Sequence, residues 1–337
     1  MYERFFGLRE RPFDLRPDPR FLFLSARHHE ALTHLKYGLS GRPGITLLIG
    51  DAGTGKSTLI RATLHGLNAE ASRIAVLANP TLKREEFYQH LANELRFSGA
   101  AAASKLVFLR ELEAALEAAA NRGGIVGLIV DEAQSLPADL LEELRLLTNA
   151  GDNLNRSLTL VLAGQPELGD RLNEPGLRQL KQRIALRAEL TPFTLKETAG
   201  YVATRITTAG GRADQLFTRD AIVAIHDASK GLPRVISVLC DNALVNGFAA
   251  AVKPVGSAIV AEICAAFDIR PAVGVMQPEP DVRPPVAVAS ASAEPVATSP
   301  QSPRDEPAAT AASTSIQPMF GAYQEPKRFS FFRGMRQ

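Results

Sequence analysis

The residues with the clearest chemistry form one segment, Gly50-Asp51-Ala52-Gly53-Thr54-Gly55-Lys56-Ser57. It has the pattern G-x-x-x-x-G-K-[ST] of a phosphate-binding loop between a strand and a helix, and the apolar run 45–49 precedes it. Glycine lets the backbone turn its N–H groups toward phosphate oxygens, and the N-terminus of the following helix favours an anion. We expect Lys56 to reach the β- and γ-phosphates of a nucleotide and the Ser57 hydroxyl to ligate Mg²⁺. A chance glycine-rich turn would not need these flanking elements.

A pair of carboxylates, Asp131 and Glu132, follows the continuous apolar run 125–130. Such a run is typical of a strand buried on both faces of a parallel sheet, and ligands of open α/β sheets bind beyond the carboxyl ends of strands. Asp131 is predicted to hold Mg²⁺, directly or through water, and Glu132 to polarise the water that attacks the γ-phosphate. An acidic pair can also be a helix cap or a surface charge, but its place after a phosphate loop favours an ATP or GTP hydrolase.

Two amides near these carboxylates are weaker candidates. Gln165 follows the predicted fourth strand, which should lie beside the strand of the phosphate loop, so it could hydrogen-bond the γ-phosphate or the attacking water. Alternatively, it is a polar turn residue before Pro166. Gln134 could sense the γ-phosphate or relay to a partner, or it could be a plain surface amide.

Arginines supply the remaining candidates. Arg183 belongs to a basic cluster with Arg178, and one of these arginines could reach the γ-phosphate of a neighbouring subunit, as an arginine finger does. The alternative is a solvated face with surface ion pairs. Arg234 follows Pro233 in the first turn of a predicted helix, where a cation is poorly placed for the helix dipole. A bound phosphate would offset that cost.

The apolar periodicity indicates which elements position these residues. Strands are predicted near 45–49, 73–77, 125–130, 158–163 and 184–190, alternating with helices, which defines a parallel three-layer α/β fold. A helix is predicted from Ser25 to about Leu39, and 99–104 is interpreted as a small-residue linker. After Thr194 the pattern becomes helical only, near 195–209, 217–228, 232–247 and 255–267. The domains predicted are an N-terminal arm and helix at 1–39, a P-loop α/β domain at 40–193, an α-helical lid at 194–268 and a disordered tail at 269–337.

Composition restricts the remaining choices. The 337 residues are 45% hydrophobic with a net charge of +2, so no strong overall field attracts nucleic acid. Cys240 and Cys264 lack metal-ligand spacing and are interpreted as buried core residues. We see no signal peptide and no transmembrane run, so we expect a cytoplasmic protein, with peripheral attachment to the inner membrane as an option. Half of the 22 prolines lie after residue 270, and the aromatic, basic run 328–333 is either a docking peptide or a solvated tail.

Together these motifs resemble those of an AAA+ ATPase of the initiator-like branch. More narrowly, the chain resembles the general secretion pathway protein A family and its relatives beside exopolysaccharide and exosortase loci. The resemblance covers about residues 1–268 and includes these runs: Phe5-Phe6-Gly7-Leu8, Pro17-Asp18-Pro19-Arg20-Phe21-Leu22, Asp131-Glu132-Ala133-Gln134-Ser135-Leu136, Leu162-Ala163-Gly164-Gln165-Pro166-Glu167-Leu168 and Leu239-Cys240-Asp241-Asn242-Ala243-Leu244.

The resemblance implies roles and partners. Lys56 and Ser57 would bind ATP and Mg²⁺, Asp131 and Glu132 would form the Walker B site, Gln165 would be sensor 1, and Arg234 would be sensor 2. Secretion members of the family resemble a cytoplasmic ATPase followed by a membrane span and a peptidoglycan-binding domain, which the tail seen here does not match.

The resemblance therefore implies a homo-oligomeric ATPase, a hexameric ring in the AAA+ manner, that works with envelope secretion or polysaccharide-export proteins. A DNA-binding, transposition-type AAA+ regulator is the alternative, and a nucleotide-gated scaffold with little turnover is a third possibility.

Overall fold

The computed structural model of this chain describes residues 1–16, 18–40, 44–78, 82–150 and 157–269. The predicted disordered tail at 269–337 lies outside the described residues except for its first residue, and so does the aromatic, basic run 328–333. None of the helices in the described part combines the length and apolar character that crossing a bilayer requires.

The predicted five-stranded parallel sheet is confirmed. Its strands are β1 Ile45–Gly50, β2 Arg73–Leu77, β3 Val126–Val130, β4 Thr159–Gly164 and β5 Ile184–Leu190. All the pairings in the described residues are parallel, and the strand order is β2-β3-β4-β1-β5. β1 therefore lies between β4 and β5, and the carboxyl ends of β1, β3 and β4 share one edge of the sheet.

Helices fill the connections between strands and continue after β5. In chain order the described α-helices are α1 Glu3–Phe6, α2 Ala26–Gly38, α3 Lys56–Leu64, α4 Arg84–Glu94, α5 Gly99–Ala103, α6 Lys105–Asn121, α7 Ala138–Leu147, α8 Pro166–Arg171, α9 Arg178–Gln182, α10 Leu195–Thr208, α11 Ala213–Leu216, α12 Arg219–Ser229, α13 Pro233–Ala249 and α14 Ser257–Ala266.

The prediction of a linker at 99–104 is wrong, because Gly99–Ala103 is the short helix α5. The Ser98 side chain caps it by accepting from the N–H of Ala101, which is fully buried. Four consecutive alanines favour helix, and a local cap with one buried contact is enough to order this turn.

The three central strands β1, β3 and β4 are buried on both faces, as their continuous apolar runs predicted. Successive side chains of a strand point to opposite faces, so Leu128 packs with α4 to α9 on one face while Ile129 packs with α2 and α3 on the other. The same alternation holds in β4 for Leu162 and Val161. Packing on both faces holds these strands in place, and it therefore fixes the positions of the residues that follow their carboxyl ends.

The N-terminal arm packs with the late helices rather than with the sheet. Its aromatic residues Tyr2, Phe6, Phe13 and Phe21 share one buried cluster with residues of α10 to α14. Helix α2, in contrast, buries Ala31, Leu35 and its C-cap residue Leu39 against the sheet. The arm is therefore held in place by aromatic rings that are buried against helices distant in sequence, and it needs no regular apolar periodicity of its own.

Candidate active site

The phosphate-loop residues lie between β1 and α3, as predicted. Gly53 and Gly55 have φ of 84° and 106°, a left-handed backbone that favours glycine, and Gly55 is the N-cap of α3. Lys56 is almost completely buried, and its Nζ donates to the carbonyl oxygens of Gly50 at 2.7 Å and Asp51 at 3.2 Å. The lysine charge is therefore held at the loop itself.

The two predicted metal ligands are in direct contact. The Ser57 hydroxyl donates to Asp131 Oδ2 at 2.6 Å, which joins the start of α3 to the end of β3. A hydroxyl and a carboxylate are hard oxygen ligands of the kind that Mg²⁺ takes together with water and substrate phosphates. Within the described residues no group of three or more His, Cys, Asp or Glu side chains could hold a metal ion. The residues present fit a magnesium ion that a nucleotide brings with it.

Glu132 lies beside this pair with its carboxylate held by two amides. Its Oε2 accepts from Gln134 Nε2 at 2.6 Å and from Gln165 Nε2 at 3.2 Å. Partial burial raises the pKa of Glu132, but these two bonds and the charge of Lys56 outweigh it and hold the pKa below its ordinary value. The carboxylate is therefore ionised at neutral pH, as a proton acceptor requires.

Gln134 connects the loops that follow β3 and β4. Its Oε1 accepts from the main-chain N–H of Gln165 at 3.1 Å, while its Nε2 binds Glu132. A Cβ at Gly164 would lie 2.8 Å from Gln134 Oε1, so glycine lets the amide approach the end of β4. Arg171 Nη1 donates to the carbonyl oxygens of Gln134 and Leu136. Neither amide is a plain surface group, since both contact the carboxylate.

Arg234 also reaches the phosphate loop. It is the second residue of α13, and its main-chain N–H donates to the carbonyl of Gly53 at 3.3 Å. A Cβ at Gly53 would lie 3.0 Å from Arg234 Cβ. Loop and arginine line the same cleft, which has a volume of about 470 Å³.

Arg183 does not join this group within one chain. Its carbonyl accepts from the N–H of Ile45, the first residue of β1, and its Nη1 donates to Thr148 Oγ1 at 3.0 Å. The phosphate loop begins five residues further on, at the other end of β1, which is roughly 16 Å along a strand. Arg178 begins α9 at the same end of the sheet and is exposed. Neither arginine is therefore brought to the phosphate loop of its own chain.

Several cleft residues carried no motif and were missed by the sequence reasoning. Phe23, Phe193 and Tyr201 line the cleft and contact one another edge-on or at a tilt, with ring centroids 5.4 to 6.0 Å apart. Arg205 lies over the Tyr201 ring and donates to the carbonyls of Pro12 and Asp14. Of these residues only Phe23 lies in the first 24 positions, which hold six aromatic residues, and the other three gave no signal in the sequence.

Comparison with known proteins agrees with this fold. Residues 39–172 match the family described as AAA domain. The structure resembles ORC2 of Aeropyrum pernix in its ADPNP–ADP complexes, with a TM-score of 0.57 and 19% identity over 76% of this chain and 71% of that one. It also resembles Drosophila ORC bound to DNA, with a TM-score of 0.56 and 19% identity over 77% and 65% of the two chains. At these identities the likeness shows the fold alone. The matched AAA domain and the five-stranded parallel sheet with its phosphate loop define an AAA+ ATPase.

Within that class a closer relative is known. Over 252 residues the chain is 42% identical to General secretion pathway protein A of Aeromonas hydrophila, which covers 74% of this chain. Over the residues that match, the chain is an AAA+ ATPase similar to general secretion pathway protein A. It spans 45% of the length of that relative, somewhat less than half.

Proposed function

We propose that the chain binds ATP with Mg²⁺ in the cleft and hydrolyses it. The observation that supports this most strongly is the meeting of Lys56, Ser57, Asp131 and Glu132 at one edge of the sheet, with Ser57 and Asp131 2.6 Å apart. Lysine and main-chain N–H groups would hold the phosphates, and Ser57 with Asp131 would hold the metal ion. When bound, Mg²⁺ would neutralise phosphate charge.

The residues around Glu132 would handle the water. Its ionised carboxylate would accept a proton from the attacking water, and Gln165, already within reach of that carboxylate, would orient the water or contact the γ-phosphate. Arg234, on the other side of the loop, would contact the phosphates as the lid closes. These roles rest on contact geometry and on the chemistry of the groups.

We also propose that Arg183 completes the site of a neighbouring copy in a homo-oligomeric ring. Its position at the far end of β1 leaves it outside its own cleft, and guanidinium is the group that best stabilises charge on a transferring phosphate. Thr148 would hold its side chain ready for that contact.

For the biological role, we propose that hydrolysis drives assembly or regulation of an envelope secretion or polysaccharide-export system, from the cytoplasmic face of the inner membrane. The 42% identity to a protein named for general secretion supports this. The DNA-binding, transposition-type alternative stays a prediction. Binding of duplex DNA with ATP over a salt series would distinguish it, because phosphate contacts produce a steep salt dependence.

The direct experiment is to compare Glu132→Gln with wild type in ATP binding and in steady-state hydrolysis. The amide keeps the size of the side chain but cannot accept the proton, so turnover should fall by about a hundredfold or more while ATP affinity changes little. Glu113→Gln, at an exposed position of α6, is the matched control. Normal turnover of Glu132→Gln would exclude Glu132 as the base.

A further inference from the structure

His28 lies where helix α2, the phosphate loop and the segment between β5 and α10 meet. The residue is 3% exposed. Nδ1 lies 2.7 Å from Ser25 Oγ, Nε2 lies 2.9 Å from the carbonyl oxygen of Thr54, and the ring centroid is 5.2 Å from that of Phe193. No motif in the sequence assigned a role to this histidine.

The partners of the ring define which nitrogen carries the proton. A carbonyl oxygen can only accept, so Nε2 must carry the hydrogen and donate it to Thr54. Nδ1 then accepts from the Ser25 hydroxyl, whose oxygen accepts the main-chain N–H of His28 at 3.4 Å. Burial lowers the pKa of His28, although the bond to Thr54 and the charge of Glu197 act in the opposite direction. The ring is therefore neutral with its proton on Nε2.

This bond acts on a peptide of the phosphate loop that leads into a glycine. The peptide joins Thr54 to Gly55, and Gly55 has φ of 106° with no side chain to restrict it. In a trans peptide the C=O and the N–H point in opposite directions. Anchoring the Thr54 carbonyl to His28 therefore turns the Gly55 N–H away from His28. A Cβ at Gly55 would lie only 3.3 Å from Nε2, so the ring also packs directly on this residue.

We propose that His28 is a positioning residue for the di- or triphosphate of the nucleotide. Its Nε2–H holds the Thr54 carbonyl so that the Gly55 N–H is presented to phosphate before the ligand arrives. The loop then pays less ordering entropy when phosphate binds, since one of its amides is already oriented. The inference rests on the proposed ATP binding and adds a residue from outside the motif, 26 positions earlier in the chain.

Two substitutions separate the hydrogen bond from the packing of the ring. His28→Phe keeps an aromatic ring against Phe193 but cannot donate, whereas His28→Gln keeps an N–H donor and loses the ring. Binding of ATP and of tripolyphosphate, each with magnesium, is measured by calorimetry, and thermal unfolding is recorded for every variant. We expect His28→Phe to bind both ligands about tenfold more weakly, the scale of one buried hydrogen bond, and His28→Gln to stay within about threefold of wild type.

The same measurements distinguish failure of the inference from failure of ATP binding. If Lys56→Ala binds ATP as wild type does, the proposed function fails. If Lys56→Ala loses ATP while His28→Phe keeps it, or if His28→Gln is as weak as His28→Phe, only the role of His28 fails. A measurement on the unmodified protein does not depend on whether variants fold: long-range ¹H–¹⁵N NMR should show the proton on Nε2, and a proton on Nδ1 would overturn the proposal.

Discussion

The two walls of the cleft are built by different means. The phosphate wall consists of the loop before α3 and the ends of β3 and β4, held by short polar contacts such as Ser57 to Asp131. The opposite wall consists of the N-terminal arm and α10, held by packed rings and by Arg205. The residues of the first wall belong to short sequence motifs, whereas the residues of the second wall belong to no motif. The difference teaches that substitutions in the phosphate wall should change turnover, and those in the arm wall should change stability.

Arg205→Ala should show the largest effect on the arm wall. The guanidinium donates to the carbonyls of Pro12 and Asp14 and to the hydroxyl of Tyr201. Its loss leaves these acceptors without their charged donor and frees the arm, so we expect unfolding free energy to fall by about 3 kcal/mol, measured by urea denaturation. Arg212→Ala, which removes an exposed ion pair with Asp214, should cost less than about 0.5 kcal/mol. Equal losses in the two variants would mean that Arg205 does not hold the arm.

Gln134→Ala should show the opposite pattern in the phosphate wall. It removes one of two donors to the Glu132 carboxylate and the acceptor of the Gln165 N–H, so base and amide lose their alignment. We expect kcat for ATP hydrolysis to fall about tenfold with little change in ATP affinity. Gln215→Ala, at an exposed position of α11, is the control. If Gln134→Ala lowered the unfolding free energy but left kcat unchanged, the proposed difference between the two walls would be wrong.

A smaller effect concerns pH, because His28 binds Thr54 of the phosphate wall and lies against Phe193, whose ring packs on Tyr201 of α10. Since the pKa of His28 is lowered in the folded protein, the unfolded chain takes up a proton first as the pH falls through about 6.5. The stabilisation from the neutral ring is therefore present above that pH and is lost below it. The difference in unfolding free energy between wild type and His28→Phe should be constant above about pH 7.5 and shrink toward pH 5.5. A difference that grows in acid would show a raised pKa instead.

Sequence reasoning located the elements whose placement depends on residues that are neighbours in the chain. The phosphate loop, Asp131-Glu132 and the five strands could be predicted because glycine, charge and continuous apolar runs act over a few positions. The contact between His28 and Thr54 could not, since it joins residues 26 apart through the packing of α2 on the sheet. The hydrogen bonds from Arg205 to Pro12 and Asp14 could not be predicted either, since they join residues more than 190 positions apart. Gln134 was noticed, but its close approach to the end of β4, which the absence of a side chain at Gly164 allows, could not be predicted.

The corrected linker at 99–104 shows a different limit. Alanine-rich segments favour helix only weakly over a single turn, and the outcome depended on the Ser98 cap and on the burial of Ala101. The domain boundaries proposed near residues 40 and 194 stay predictions, since the arm shares its core with the later helices while α2 shares that of the sheet.

The most direct test of the account is the binding of labelled ATP with magnesium to wild type and to Lys56→Ala, with Lys196→Ala at an exposed position of α10 as the matched control. Lys56 is the buried cation of the loop, so its removal should abolish measurable binding while thermal unfolding shows that the variant stays folded. The account predicts tight binding by wild type and by Lys196→Ala and none by Lys56→Ala. Equal binding by all three proteins, or no binding by wild type, would contradict it.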